Sequence, residues 1–391
     1  MGACVPAGIF LLFIRISADA LKNRMAGVGF TYGKMDKEDK KIEQEKSIGR
    51  NWFWLIMGVV FIVLTLLLQL AARRGTGFAT WYAHTIYTLL VGGFGRINTI
   101  LPFSIVEFGL YALIVGSLIY IIRHFRKPLQ IGSRAVFLCG LLLFLYTTNC
   151  GINYYAAPFS SYAGIQTELY TKEELKGLCR YLLEQVNENI SEAHYTDYKK
   201  EWKQEGVRAM QKAGEAFDCL SGFYPCPKEL ACSYILSVQQ LCGIYSPFTI
   251  EANFNGDMPD YNIPHTICHE LSHLKGFMRE DEANFIGYLA CIASDNQAFR
   301  YSGYLTGWVY AGNALARADI DAYMELRSQL NPRAEEHLRE NNAFWDRYEG
   351  KVAEVSNQWN DTYLKMNDQE DGVKSYGRMV DLMLAYWKNM E

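Results

Sequence analysis

Residues 269–273 read His-Glu-Leu-Ser-His, and His269, Glu270 and His273 are the side chains whose types and spacing could do chemistry. Positions four apart share one face of a helix, so His269 and His273 can reach a single ion from neighbouring turns. Glu270 lies roughly 60° round the helix from His273, close enough to work on a water held at that ion. Ile267, Leu271 and Leu274 fall on the opposite side, which gives the helix an apolar back and a ligand front. Two imidazoles and a carboxylate in this arrangement point to zinc-assisted hydrolysis of an amide, with Glu270 as general base. The same spacing also arises on a plain solvated helix, or at a metal site that does no chemistry.

A catalytic zinc commonly takes a third protein ligand and keeps one position open. Glu280 follows His273 by seven residues, with Gly276 available to turn the chain between them, and Glu282 is the rival. Both also suit a helix start, where acids are favoured by the dipole. Asn284 is four residues beyond Glu280 on the same face, placed to support a histidine ligand from behind. His265 sits on the ligand face but too early for the motif, and reads as lining a cleft. Tyr301 and Tyr304 are candidates to hydrogen-bond a developing oxyanion.

The elements that must position these groups are set by periodicity. Residues 248–255 alternate: Phe248, Ile250, Ala252 and Phe254 are apolar, while Thr249, Glu251, Asn253 and Asn255 are polar. Period two predicts a half-buried strand, and an edge strand there could pair with an extended substrate through Phe248, Thr249, Ile250, Glu251, Ala252 and Asn253. A loop with Pro259 and Pro264 leads into the motif helix, which Gly276 can end. A second helix runs from Glu280 to about residue 293. Upstream, Thr171 and Glu174 form a capping-box pattern, and another helix is predicted over about 198–218.

The 391 residues divide by charge: residues 1–154 carry net +9 and residues 155–391 net −13. The acidic part should repel phosphates, so nucleic acid is not an expected partner. The basic part holds apolar runs at 52–72, 103–122 and 135–153, each long enough to cross a hydrocarbon core of about 30 Å as a helix. Lys and Arg crowd residues 34–50 and the loop after the second run, and are sparse after the first. That bias predicts a cytoplasmic amino terminus and an extracytoplasmic position for everything past about residue 154. Residues 78–102 read as a membrane-surface segment, residues 3–14 as too short to span, and residues 36–45 as a solvated charged linker. Glu107, near the outer end of its run, reads as an interfacial carboxylate. Ten cysteines, seven of them after residue 154, would permit disulfides outside the cell, but no C-x-x-C pair suggests a cysteine zinc cluster.

His269 to His273 followed by Glu280-Asp281-Glu282-Ala283-Asn284 resembles the gluzincin metallopeptidases, the membrane-anchored heat-shock and CAAX-type proteases in particular, which carry H-E-x-x-H and then E-x-x-A-D. The resemblance implies Glu280 as third ligand and Asn284 as the supporting residue, with asparagine where that pattern has aspartate. From about residue 50 to the end the chain also resembles a bacterial membrane family, domain of unknown function 3810 (DUF3810), through Pro247 to Asn253, His269 to His273, Glu280 to Ala290 and Tyr301-Ser302-Gly303-Tyr304. The expected chain has three parts: a cytoplasmic segment 1–51, a three-helix transmembrane region 52–154, and an extracytoplasmic helix-rich α+β domain 155–391 of zincin-like (gluzincin) fold. The expected protein is a multi-pass zinc metallopeptidase of the cell membrane, with one Zn2+ per chain, a peptide or protein substrate and the lipid bilayer as partners. The alternative is a membrane sensor or a non-catalytic zinc-binding protein built on the same outer domain.

Overall fold

The computed structural model describes residues 37–190, 199–367 and 377–390; the apolar stretch 3–14 lies outside the described residues. The chain divides into two compact units, residues 1–53 and 54–391. The charged residues from Lys37 onward belong to helix α1 (Lys37–Arg73) and not to a linker, as their glutamates and lysines are good helix formers in water.

Among the described residues three helices are long and apolar enough to cross a membrane, Glu45–Arg73, Ile105–His124 and Pro128–Tyr155, and they mark the chain as membrane-associated. They cover nearly all of the three apolar runs, with ends shifted from those that hydropathy suggests. The second, α4 (Ile105–His124), begins where the Ser104 side chain accepts a hydrogen bond from the Glu107 N–H. The third opens as α5 (Pro128–Tyr146), with its proline in the first turn, where the missing N–H costs nothing. Leu66, Leu67, Leu110 and Leu118 on these helices are exposed, as side chains facing lipid would be. Between the first two spans the segment read as membrane-surface is helical: α2 (Thr76–Tyr82), a π-helical turn (Ala83–Tyr87) and α3 (Thr88–Ile100). Ala79, Tyr82, Tyr87 and Val91 are buried, while Trp81, Leu89, Phe94 and Ile97 are exposed.

The rest is helical around a small sheet. In chain order come α6 (Lys172–Asn189), α7 (Lys199–Ala216), β1 (Lys228–Glu229), β2 (Gly243–Ser246), β3 (Glu251–Phe254), α8 (Ile263–His273), α9 (Glu280–Ala293), α10 (Gln297–Ala318), α11 (Pro332–Asp346), α12 (Lys351–Met366) and α13 (Gly377–Lys388). The expected capping box opens α6: Thr171 and Glu174 each accept from the other's backbone N–H. The core gathers Trp202 of α7, Ile267 and Leu271 of α8, Phe285 of α9 and Trp308 of α10, all essentially inaccessible. The nine described cysteines are free thiols.

The sheet corrects the sequence reading. Its order is β1-β3-β2, β3 pairing parallel with β1 and antiparallel with β2. β3 is therefore the central strand, with no free edge for a substrate. Residues Phe248, Thr249 and Ile250 are not strand; they form the turn into β3, and Ile250 takes a left-handed backbone (φ 55°). Alternation by residue type ran past the true end of the strand, because a turn that buries one apolar side chain mimics the pattern.

Two carboxylates join the membrane helices to this sheet. Glu251 of β3 is buried against Lys228 Nζ at 2.6 Å, and its oxygens accept from the Ile105 and Val106 N–H groups at 3.0 and 2.9 Å. Those are donors of the first turn of α4 that have no partner within the helix. In return Glu107 of α4 accepts from the Ala231 and Cys232 N–H groups at 2.7 and 2.8 Å, and from the Tyr111 hydroxyl at 2.9 Å. Glu107 is thus a buried docking group, not the interfacial carboxylate its position suggested.

Candidate metal centre

Helix α8 presents the motif as the spacing requires. Ile263, Ile267 and Leu271 are fully buried on its back, and the Ser302 hydroxyl accepts from the His265 N–H near its start. After His273 the chain turns through Gly276 (φ 94°), a backbone that favours glycine. It then enters α9 with Glu280 as first residue. His269 Nε2 stands 3.3 Å from Glu280 Oε2, and His273 Nε2 stands 3.8 Å from Glu280 Oε1. One ligand atom from each of the three residues lies within 4.8 Å of the others. Atoms about 2.0–2.2 Å from a tetrahedral zinc are about 3.4 Å apart, so this donor set is nearly the right size for that ion.

The far side of each imidazole is fixed. His269 Nδ1 lies 2.9 Å from Asn284 Oδ1, and His273 Nδ1 lies 2.8 Å from the Phe277 carbonyl oxygen. Both acceptors require a proton on Nδ1, which leaves Nε2 as the nitrogen directed at the Glu280 side. Glu282 points elsewhere: it accepts from the Phe159 N–H at 3.0 Å and pairs with Arg279 at 3.5 Å. Of the two acids open in the sequence, Glu280 joins the histidines and Glu282 does not.

Electrostatics separate the groups further. Burial pushes the Glu270 carboxyl up to about 8, partly offset by His269. Burial disfavours protonated His269, but the hydrogen bond and charge of Glu280 outweigh it and raise that imidazole to about 9. His273 is lowered to about 4, chiefly by burial. Burial raises Glu280, yet the bond to His269 and the two imidazole charges leave it below its ordinary value. Glu270 Oε2 is buried without a hydrogen-bond partner among the described residues. Such an atom is costly unless something binds there. Gly243 of β2 makes room for this carboxylate: a Cβ at that position would meet Glu270 Oε1 at 2.5 Å.

These groups line a cleft of about 880 Å³. His265 is in its wall as expected, its Nε2 3.1 Å from the Asn284 carbonyl oxygen. Tyr301 and Tyr304 are not. Tyr301 hydrogen-bonds His337 Nδ1 at 2.7 Å, and Tyr304 packs against Tyr181 and Tyr288. They lie on other faces of α10; Tyr310 and Asn313 of that helix face the cleft instead. Residues 243–245 of β2 also line it, so the edge strand beside the site is β2. Tyr245 holds the floor, its hydroxyl 3.0 Å from the Tyr87 hydroxyl and donating to the Asn149 carbonyl at 2.8 Å, while Tyr87 donates to the His273 carbonyl at 3.1 Å. Tyr146, Cys150 and Tyr154 of the third span, with Asn360 and Tyr363 of α12, close the other side. No spacing rule could have collected these residues, because they come from widely separated parts of the chain.

The model of a family described as "Protein of unknown function (DUF3810)" matches residues 82–384. No curated protein and no solved structure matches the chain.

Proposed function

The chain belongs to the DUF3810 family, and from its site we propose that it is a membrane-anchored, zinc-dependent metallopeptidase with a zincin-like domain. The observation that carries this reading is the convergence of His269, His273 and Glu280 within 4.8 Å, with the unpartnered Glu270 Oε2 buried beside them. When bound, a zinc ion supplies Lewis acidity toward a carbonyl oxygen and a water molecule. His269 and His273 would hold the ion, each with Nε2 turned to it by the contact of its Nδ1 with Asn284 or the Phe277 carbonyl. Glu280 would add a carboxylate and its balancing negative charge. Glu270 takes the proton of the attacking water at Oε2 and passes it to the leaving amine; its raised proton affinity suits a group that must hold a proton and then release it. β2, paired on one side only among the described residues, offers backbone groups to an extended peptide along the cleft.

The Lys and Arg bias of residues 34–50 and of the loop after α4 supports a cytoplasmic amino terminus and an extracytoplasmic domain. The experiment is zinc analysis and a peptidase assay on the full chain in detergent. The reading expects about one zinc per chain, and cleavage of an unstructured protein that chelation stops and added zinc restores. Cleavage indifferent to chelation, or a chain that binds no zinc, contradicts it.

A further inference from the structure

Helix α12 carries an apolar face that nothing among the described residues covers. Val352, Val355, Trp359 and Met366 are 58, 50, 72 and 69 % exposed, while Ala353 and Leu364 of the same helix are buried. At 100° per residue the four exposed side chains fall within an arc of about 60°, bordered by Tyr363, which packs on the third span. The polar residues Glu354, Gln358, Asp361 and Lys365 occupy a different arc, so the helix has three faces: one packed, one charged and one apolar and open. A packed helix needs only the first two.

The position of the helix identifies what meets the third face. Its last carbonyl, that of Met366, accepts from Arg73 Nη2 at 3.4 Å, and Arg73 is the final residue of the first span. The next residue, Asn367, accepts from the Tyr146 hydroxyl at 2.9 Å, and Tyr363 packs edge-on against Tyr146 and Tyr154, all within the third span. The end of α12 is therefore held level with the outer ends of two membrane helices. Their own exposed apolar belt reaches Leu70 and Leu143. An open stripe with a tryptophan at its centre, on a helix whose end meets the ends of two lipid-facing spans, has the composition of a helix lying in a membrane surface.

We propose that Val352, Val355, Trp359 and Met366 seat α12 in the headgroup layer of the bilayer and so bring the Asn360 and Tyr363 wall of the cleft to the membrane surface. This placement is independent of the peptidase reading. The test is emission of the full chain in phosphatidylcholine nanodiscs with and without brominated acyl chains. The reporter is the emission difference between wild type and Trp359→Phe, which isolates one of the eight tryptophans. Brominated lipid should lower that difference at least about twofold, as for a ring roughly 5–10 Å into the headgroup boundary. A tryptophan moved along the stripe by Val355→Trp in the Trp359→Phe background should be quenched likewise, and one placed on the charged arc by Glu354→Trp should not. An emission difference that is equal in both lipids overturns the proposal. So does a Trp359 left unquenched at every protein-to-lipid ratio while the copies cross-link through the stripe, which would mean that a second copy covers it.

Discussion

His269 and Asn284 are fifteen residues apart in the chain and 2.9 Å apart in space, imidazole Nδ1 to amide Oδ1. The amide fixes which nitrogen of His269 faces Glu280. Asn284→Ala is therefore expected to weaken zinc binding by about 10–100-fold, measured by competition with a chromogenic chelator. Asn284→Asp keeps the acceptor and adds charge, and should bind at least as tightly as the wild type. An alanine variant with unchanged affinity would show that the contact does not orient the ligand.

Metal binding should depend on pH with a definite sign. In the metal-free protein Glu280 raises His269 to about 9, so below that pH the ring holds a proton that zinc must displace. His273, lowered to about 4, and Glu280, lowered from its ordinary value, are already in their ligating forms at neutral pH. One proton should leave per zinc bound, and affinity should climb about tenfold per pH unit until about pH 9. Titration at several pH values checks this; an affinity flat across the neutral range would mean that His269 is neutral there.

Glu280 and Glu282 should separate cleanly when each is changed to alanine. Glu280→Ala is expected to lose the metal. Glu282→Ala should keep it but melt earlier, by about 1–3 kcal/mol, because the buried Phe159 N–H loses its acceptor. Zinc content and thermal melting of the two purified variants decide the assignment, and the reverse pattern would transfer the ligand role to Glu282.

Much of this centre was legible in the sequence because it is local. A helix of known period fixes where His269, Glu270 and His273 point, and Glu280 and Asn284 share a face by the same rule. What was not legible depends on pairing and on distance along the chain. Phe248 and Ile250 alternate with polar residues as a strand would, yet only the pairing of Gly243–Ser246 with Glu251–Phe254 shows which segment is the edge. Tyr301 and Tyr310 are equally plausible in sequence; the rotation of α10 places one against His337 and the other at the cleft. Glu107 and Glu251 gave no signal of their joint role, since 144 residues separate two carboxylates that each serve the other's backbone neighbourhood.

That docking makes a prediction of its own. Glu251→Ala leaves Lys228 buried without its partner and removes the acceptor of two N–H groups at the start of α4. Breaking such a pair is expected to cost about 3–5 kcal/mol, read as earlier thermal unfolding in detergent. Glu251→Gln, which keeps an acceptor for the helix, should cost less. Wild-type melting of the alanine variant would show that the joint adds nothing to stability.

The most direct test of the account is Glu270→Gln in the full chain, assayed for zinc content and for peptide cleavage on the same preparation. Glutamine preserves the shape beside Gly243 and touches none of the three ligands, but it cannot take a proton. The expected result is one retained zinc with cleavage lowered by about 10²–10⁴-fold; a variant that holds its zinc and cleaves as the wild type does would contradict it.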